Sequence, residues 1–441
     1  MRINSIKIEK LFEIFDYDIS FRNNDNLLII TGPNGFGKTM ILNIIFNLFN
    51  RKFLFFQKLV FEKISLSLDG NISITISKRI EKEKADKLGR EKTHVKFLFS
   101  KNGKEFDSFD YSDKLENDVW KNISRFLPVG RVNENTWIDH RTNKILTMDI
   151  FLNEYADQLP EDVSKNLLRI ASKETNEILD SIKVHFIREQ RLFKKVQNTD
   201  RNYHEETDKA MMIETIQTYA EELKGLILEF SQKSFTRTQE LDSSYPKRLT
   251  NENNILTQDD YEKRYNTLKI KQEKLTEFGL YESKQEFLTY NTSDAKALSV
   301  YLKDFELKLG VFDPLLEKLK LFTNILNERR FTFKSIRISR TKGFYFETSK
   351  NKRLDLNQLS SGEQHEVVLL YELIFNVKPD ILVLIDEPEI SLHITWQKEF
   401  LNDLLRIIQI QNIQVLIATH SPSIINDRWD LVYNLEKIDA K

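Results

Sequence analysis

Three observations predict an α/β fold for this chain. An apolar run of strand length, Asn26-Leu27-Leu28-Ile29-Ile30-Thr31, passes through a glycine-rich loop into an apolar helix; a block of period-two alternation follows; and the C-terminal part returns to alternating helix and strand. The expectation is a mixed central sheet carrying the glycine loop, with an antiparallel β subdomain beside it. Residues 1–200 and 331–441 would form the two halves of this core, interrupted by a helical insertion over 201–330.

In chain order, Ile3, Ile6 and Ile8, then Phe15, Tyr17, Ile19 and Phe21, alternate as two short antiparallel strands. The run at 26–31 reads as a buried central strand, and Met40 to Phe49 as a buried helix after the loop. Ile64, Leu66 and Leu68, an Asp69-Gly70 turn, Ile72, Ile74 and Ile76, and a further pair across Asn102-Gly103 give an antiparallel meander between about 55 and 110. Ile182 to Ile187 is another strand, ending in Arg188-Glu189-Gln190-Arg191. From 205 to 330 the pattern is helical. One seam runs Ile213, Ile216, Ala220, Leu223, Ile227, Phe230; another runs Leu298, Leu302, Phe305, Leu309, Phe312; a weaker one joins Tyr261, Tyr265 and Leu268. These fit an antiparallel, coiled-coil-like arm broken by the polar stretch Asp242 to Gln258, and fit an ordinary helical subdomain equally well. Asp313-Pro314 starts a further helix, and strand alternation resumes from Phe331 to Phe346.

Composition narrows the function. With 66 Lys+Arg against 67 Asp+Glu the net charge is −1, which excludes a generally polybasic nucleic-acid coat. The absence of cysteine excludes disulfides, thiolate catalysis and cysteine-ligated metal centres, and suits a reducing cytosol. Apolar runs stay well short of the ~20 residues needed to span a bilayer. The alternating start MRINSIKIEK has no signal-peptide core, so a cytoplasmic location without membrane contact is expected. Glycine is scarce, 12 in 441, yet Gly32, Gly35 and Gly37 fall in one loop, which places backbone there for close approach to something.

Four strings carry the chemistry. Gly32-Pro33-Asn34-Gly35-Phe36-Gly37-Lys38-Thr39 fits G-x-x-x-x-G-K-[ST] between a strand and a helix. N–H groups from Asn34 to Gly37 and the helix N-terminus would cradle phosphates, Lys38 would bring a point charge to them, and the Thr39 hydroxyl would ligate Mg²⁺. Ile381-Leu382-Val383-Leu384-Ile385-Asp386-Glu387 is a buried strand ending in two acids. Asp386 would hold the metal's water shell, and Glu387 would orient or deprotonate an attacking water. Leu359-Ser360-Ser361-Gly362-Glu363-Gln364 puts Ser360 as cap, with Gly362, on an outward-facing helix N-terminus, a second phosphate reader supplied to a partner protomer. Val415 to Ser421 is a further strand that sets His420 at its end, where it would donate to a γ-phosphate.

In this order the four strings resemble the ABC-type ATPase superfamily, specifically its soluble branch of RecF-like, SMC-like and overcoming-lysogenization-defect-like ATPases. The resemblance covers residues 1–60 and 350–435, and loosely 180–191. It implies ATP and Mg²⁺ as ligands and Walker A, signature, Walker B and switch-histidine roles for the four strings. Gln190 would be the Q-loop glutamine on Mg²⁺ and water. It also implies a homodimer or higher homo-oligomer with composite ATP sites. Ser361 replaces the first glycine of the commonest signature, and His393 stands where the family has its D-loop aspartate. The run Glu387 to His393 looks like the defence-associated subset, and the 348 positions between Lys38 and Asp386 disfavour a transporter subunit. Only 21 residues follow His420, which leaves no room for a nuclease in cis. The chain therefore resembles the ATPase subunits of two-gene antiphage systems such as Septu and PARIS, and a separately encoded nuclease or toxin is the expected partner. Two other readings stay open. One is a repair or chromosome ATPase that clamps DNA, with Arg188, Arg191, Lys194, Lys195 and Arg201 as a local basic stretch; the other is an ATP-locked structural oligomer with little turnover.

Overall fold

The computed structural model describes residues 1–21, 26–81, 92–111, 129–133, 136–139, 144–146, 172–188, 193–196, 211–253, 255–282, 288–329, 331, 333–390 and 392–436. The chain forms two compact units. The first comprises Met1–Glu189, Val377–Ile390 and Gln397–Lys441; the second comprises Gln190–Asn376 and Ser391–Trp396. The second is wider than the insertion expected at 201–330, because it takes in the sheet and helix that precede residue 377.

The first unit opens with β1 (Ile3–Leu11) and β2 (Phe15–Ser20), followed by β3 (Leu27–Thr31), helix α1 (Lys38–Phe49) and the short α2 (Leu54–Lys58). Then come β4 (Lys63–Leu68), β5 (Ile72–Glu81), β6 (Lys92–Lys101) and β7 (Lys104–Tyr111). These build an antiparallel sheet in the order β2-β1-β4-β5-β6-β7, the expected meander joined to the N-terminal pair. It starts at Lys63 rather than near 55, because Leu54 to Lys58 is helical. Inward residues Ile6, Ile8, Ile64, Leu66, Ile74, Ile76, Phe97 and Phe99 are buried at alternate positions, the period-two pattern that fixes the register. A small antiparallel sheet, β10-β9-β8, is made of β8 (Val129–Asn133), β9 (Thr136–Asp139) and β10 (Lys144–Leu146). Helix α3 (Lys173–Ser181) is capped by Ser172 and leads to β11 (Val184–Ile187).

The second unit begins with the antiparallel pair β12 (Phe193–Val196) and β13 (Met211–Glu214). Ile213, read from the sequence as the start of a helical seam, lies in β13; four residues of strand precede the first helical turn. Helices α4 (Thr215–Asn251), α5 (Gln258–Glu277), α6 (Ala295–Gly310) and α7 (Asp313–Arg329) follow, and α6 packs against both α4 and α5. Leu298, Leu302, Phe305, Leu309 and Phe312 are all buried, as are Ile216, Ala220, Leu223 and Ile227. The break expected across Asp242 to Gln258 is present but narrower, falling between Asn251 and Gln258. Helix α4 runs on to Asn251 through Pro246. Pro246 offers no N–H to the Asp242 carbonyl one turn back; in the turn before it Ser244 Oγ donates to Glu240 O at 2.7 Å, and Arg248 Nη2 donates to Leu241 O at 2.5 Å.

The hairpin β14 (Lys334–Ser339) and β15 (Gly343–Thr348), with β16 (Arg353–Leu354), forms an antiparallel sheet against which α4 lies. The approach is close at Gly343. A Cβ there would sit 1.8 Å from the Ala220 carbonyl oxygen, and φ is +68°, so only glycine fits on both counts. Helix α8 (Ser361–Tyr371) ends in a π-helical turn, Glu372–Asn376. Tyr371 stacks on Tyr219 at 4.5 Å between centroids, and Phe322 meets it edge-on, giving this unit an aromatic core.

The chain then returns to the first unit with β17 (Leu382–Asp386), α9 (Ile394–Gln411), β18 (Gln414–Thr419), the short α10 (Pro422–Ile425) and β19 (Val432–Asn434). Strands β11-β17-β18-β3-β19 form a sheet in which every pairing is parallel. The α/β fold expected from the sequence is therefore present, with parallel and antiparallel pairing in separate sheets. Strands β3, β17 and β18 are buried nearly throughout, which explains their continuous apolar runs. Register pairs Asp386 with Ala418 and Thr419 with Thr31, so three strands end side by side, and the loops that follow them share one edge. Among the described residues no helix is long and apolar enough to cross a membrane.

Candidate active site

The loop after β3 turns through Gly35 at φ +90° and Gly37 at φ +81°. Gly37 is the N-cap of α1, and a Cβ on it would also approach Leu11 Cδ2 to 3.1 Å, so left-handed backbone and crowding both call for glycine. Asn34 and Gly35 are exposed on the loop. Lys38, the first residue of α1, is only 5% exposed. Its Nζ donates to Gly32 O at 2.8 Å and to Pro33 O at 3.4 Å, and lies 3.5 Å from Glu387 Oε1. A buried ammonium is costly unless paired, and here a carboxylate and two carbonyls meet it.

The next residue reaches the other acid. Thr39 Oγ1 donates to Asp386 Oδ1 at 3.0 Å, across 347 positions of sequence. A hydroxyl and a carboxylate are hard oxygen donors, the set that suits Mg²⁺ rather than a soft metal, so these residues fit the cation expected from the sequence.

Glu387 sits past the end of β17 in a left-handed conformation, φ 45°, uncommon for a residue with a Cβ. Its N–H donates to Ala418 O at 2.8 Å, which fastens the turn to β18. Its Oε2 meets His420 Nδ1 at 2.7 Å. Burial pushes the Glu387 carboxyl above its ordinary value and the nearby Glu389 adds to this, outweighing His420 and Lys38, which act the other way. Glu387 thus holds a proton more tightly than a surface carboxylate.

The sequence reading missed Glu389 as a member of the site. It is 7% exposed, and its Oε1 accepts from Thr419 Oγ1 at 2.5 Å, from His420 N at 3.0 Å and from Ser421 N at 3.0 Å. Ligand atoms of Glu387, Glu389 and His420 all lie within 4.8 Å of one another. The available signal was a second glutamate two positions beyond the strand-end pair, in a segment with few exposed positions.

Lys38, Thr39, Asp386, Glu387 and His420 are thus brought together in the first unit. Ser360 and Gly362 belong to the second. There Ser360 caps α8 in a capping box: its Oγ accepts from Glu363 N at 3.4 Å, and Glu363 Oε2 accepts from Ser360 N at 2.7 Å and from its hydroxyl at 3.0 Å. Glu363 is held in turn by Lys334 Nζ, 2.8 Å from both carboxylate oxygens. His393 is exposed, and its Nδ1 pairs with Thr395 Oγ1 at 2.9 Å. Gln190 lies outside the described residues, as do Arg191 and Arg201 of the basic stretch. Arg188 stacks its guanidinium over the Phe186 ring at 4.6 Å.

Among solved structures, the chain is similar to the Smc head domain of Pyrococcus furiosus with an extended coiled coil bound to the C-terminal domain of ScpA. That match has 12% identity and a TM-score of 0.36, covering 96% of this chain and 90% of that one. It is also similar to the SMC head domain from Thermotoga maritima, with 13% identity and a TM-score of 0.33 over 98% and 94% of the two chains. An SmcHead bound to the C-winged helix domain of ScpA matches at 10% identity and a TM-score of 0.38 over 96% and 92%. No curated protein sequence matches the chain. A family model described as AAA ATPase domain matches residues 1–425, nearly its whole length, and the chain belongs to that family.

Proposed function

We propose that this chain binds and hydrolyses Mg-ATP as an ABC-type ATPase, with composite sites formed across a homodimer or higher homo-oligomer. The observation that carries the reading is the convergence of Lys38, Thr39, Asp386, Glu387 and His420, drawn from both ends of the sequence, at the adjoining ends of parallel strands. Loop N–H groups around Asn34, Gly35 and Gly37 receive phosphate oxygens, and Lys38 adds its charge. Thr39 and Asp386 hold Mg²⁺, which when bound supplies neutralising charge for phosphoryl transfer. Glu387 accepts the proton of the attacking water, and its tightened hold on a proton suits that task. His420 fixes the Glu387 carboxylate through Nδ1. The exposed N-terminus of α8, with Ser360 and Gly362, serves the site of a second copy.

The run Glu387 to His393, by its likeness to defence-associated ATPases, supports a further step: a cytoplasmic sensor or scaffold subunit of an antiphage system that controls a separately encoded nuclease or toxin. The test of the ATPase reading is Mg²⁺-dependent phosphate release by the full chain alongside Lys38→Ala, with mass measured by light scattering with and without ATP. Loss of turnover in the variant and an ATP-dependent rise in mass are expected. Equal turnover in the variant would overturn the site, and an unchanged mass would overturn the composite arrangement. Co-purification of a nuclease encoded beside this chain tests the defence role. A salt-dependent gel shift would instead favour a DNA clamp.

A further inference from the structure

Glu389 is a buried carboxylate with a lopsided set of partners. Its Oε1 takes three donors from three consecutive residues, Thr419, His420 and Ser421, while its Oε2 is buried with no donor among the described residues, and the carboxyl adjoins that of Glu387. Burying a carboxylate costs stability, and the three donors offset that cost; an apolar residue there would leave the Thr419 hydroxyl and two backbone N–H groups without their acceptor. The carboxylate is thus tied to the turn that carries these three groups.

Ser421 N also donates to Thr419 Oγ1 at 3.0 Å, and Ser421 Oγ donates to Gln397 Oε1 at 2.9 Å. Gln397 Nε2 returns to the Glu389 carbonyl at 3.3 Å. A closed ring of hydrogen bonds thus joins the turn after β17 to the turn after β18. Beside that ring the half-exposed His420 side chain places Nδ1 2.7 Å from Glu387 Oε2 and 3.3 Å from Glu389 Oε1. Without Glu389, the backbone N–H groups of His420 and Ser421 and the Thr419 hydroxyl lose their common acceptor, and the turn keeps only the bond of Ser421 N to Thr419 Oγ1 and that of Ser421 Oγ to Gln397.

We propose that Glu389 is a positioning residue. It locks the Thr419-His420-Ser421 turn so that the imidazole of His420 is held on the carboxylate of Glu387. The inference rests on the reading of Glu387 as the base in ATP hydrolysis, and its test separates the two. In the full chain, Glu389→Ala lowers kcat by about 30-fold while KM for ATP stays within about twofold, because Glu389 touches neither Lys38 nor the glycine loop. Glu389→Gln keeps an oxygen acceptor for the same three donors and recovers kcat to within about fivefold of the parent. A second readout needs no nucleotide. In protein with isotope-labelled histidine, the His420 ring signals, assigned among the seven histidines with His420→Ala, shift in Glu389→Ala and stay near their parent positions in Glu389→Gln. Thr419→Val removes one donor and moves the same signals in the same direction; it carries the test should Glu389→Ala fail to fold.

Parent-like kcat in Glu389→Ala would overturn the inference, as would equal losses in the Ala and Gln variants, which would make charge rather than geometry the requirement. Unmoved His420 signals in Glu389→Ala, or in Thr419→Val where that variant stands in, would overturn it as well. If Lys38→Ala and Glu387→Gln both hydrolyse ATP at the parent rate, the underlying reading has failed instead. If those two are inactive and Glu389→Ala is not, only the positioning role is lost.

Discussion

Replacing Glu387 by glutamine isolates one atom's chemistry. The side chain keeps its size and its place on the left-handed backbone, but it can no longer take a proton. A positioned general base contributes about 10²–10⁴ in rate, or roughly 3–5 kcal/mol of transition-state stabilisation, so kcat should fall by that factor. Binding should survive, because Lys38 keeps its two loop carbonyls and Thr39 its contact with Asp386, and the variant should accumulate as an ATP-stabilised dimer. Stability gives an independent check with a definite sign. Burial and Glu389 raise the Glu387 pKa above its ordinary 4.5, so the unfolded chain ionises first as pH rises. Over the window from 4.5 up to the raised folded value the unfolded state binds fewer protons, and the parent loses stability relative to the variant by up to about 1.4 kcal/mol per pH unit. The melting temperature of Glu387→Gln should therefore gain on the parent's as pH rises through that window, and lose that gain on acidification. The assays are phosphate release, light scattering with ATP, and thermal melts across pH. Hydrolysis at the parent rate refutes the base assignment, and a pH-independent gap refutes the electrostatic argument.

Other outcomes follow from single contacts. Gly343→Ala forces a Cβ onto the Ala220 carbonyl at a positive φ and should cost at least about 2 kcal/mol in a urea titration. Glu363→Ala removes a capping box and should cost about 1–2 kcal/mol at neutral pH. Burial opposes ionisation of Glu363, but the bonds from Lys334 and Ser360 outweigh it and hold its carboxyl below the ordinary 4.5; its contribution is present above that value and lost as pH falls through the lower folded one, so the parent–variant difference should close in acid. Arg248→Leu strands the buried Asp304 and should cost about 3 kcal/mol, most of it regained in the double variant with Asp304→Leu, measured by chemical denaturation. Chelating divalent cations, or Thr39→Ala, should abolish phosphate release, and Thr39→Ser should restore it.

What could be read in the sequence was what local pattern determines. The glycine loop is a contiguous string whose spacing encodes its backbone shape, and the apolar runs of β3, β17 and β18 record burial on both faces. Strand-end placement then located Asp386, Glu387 and His420 without any contact information. Glu389 was not legible, because its meaning lies in Thr419 to Ser421, thirty positions away, and three of its four bonding partners are backbone or hydroxyl groups common to any sequence. The length of α4 was misread for a related reason. Asp242 to Gln258 is polar, with a proline, yet Ser244 and Arg248 bond the carbonyls of Glu240 and Leu241 in the turn before Pro246, and Asp304 holds Arg248 from another helix. The helix therefore continues to Asn251, and the break is confined to the last part of the polar stretch, before Gln258. Ile213 fitted a heptad spacing by coincidence with the strand before α4.

Lys38 already has a counter-ion inside its own fold. Any anion that comes to the glycine loop must win the ammonium from Glu387, so docking is a substitution of one negative partner for another rather than the filling of an idle charge. Under the proposed function, that trade would release the glutamate from its cationic neighbour when the nucleotide is seated, and would tie its readiness to occupancy through a single side chain.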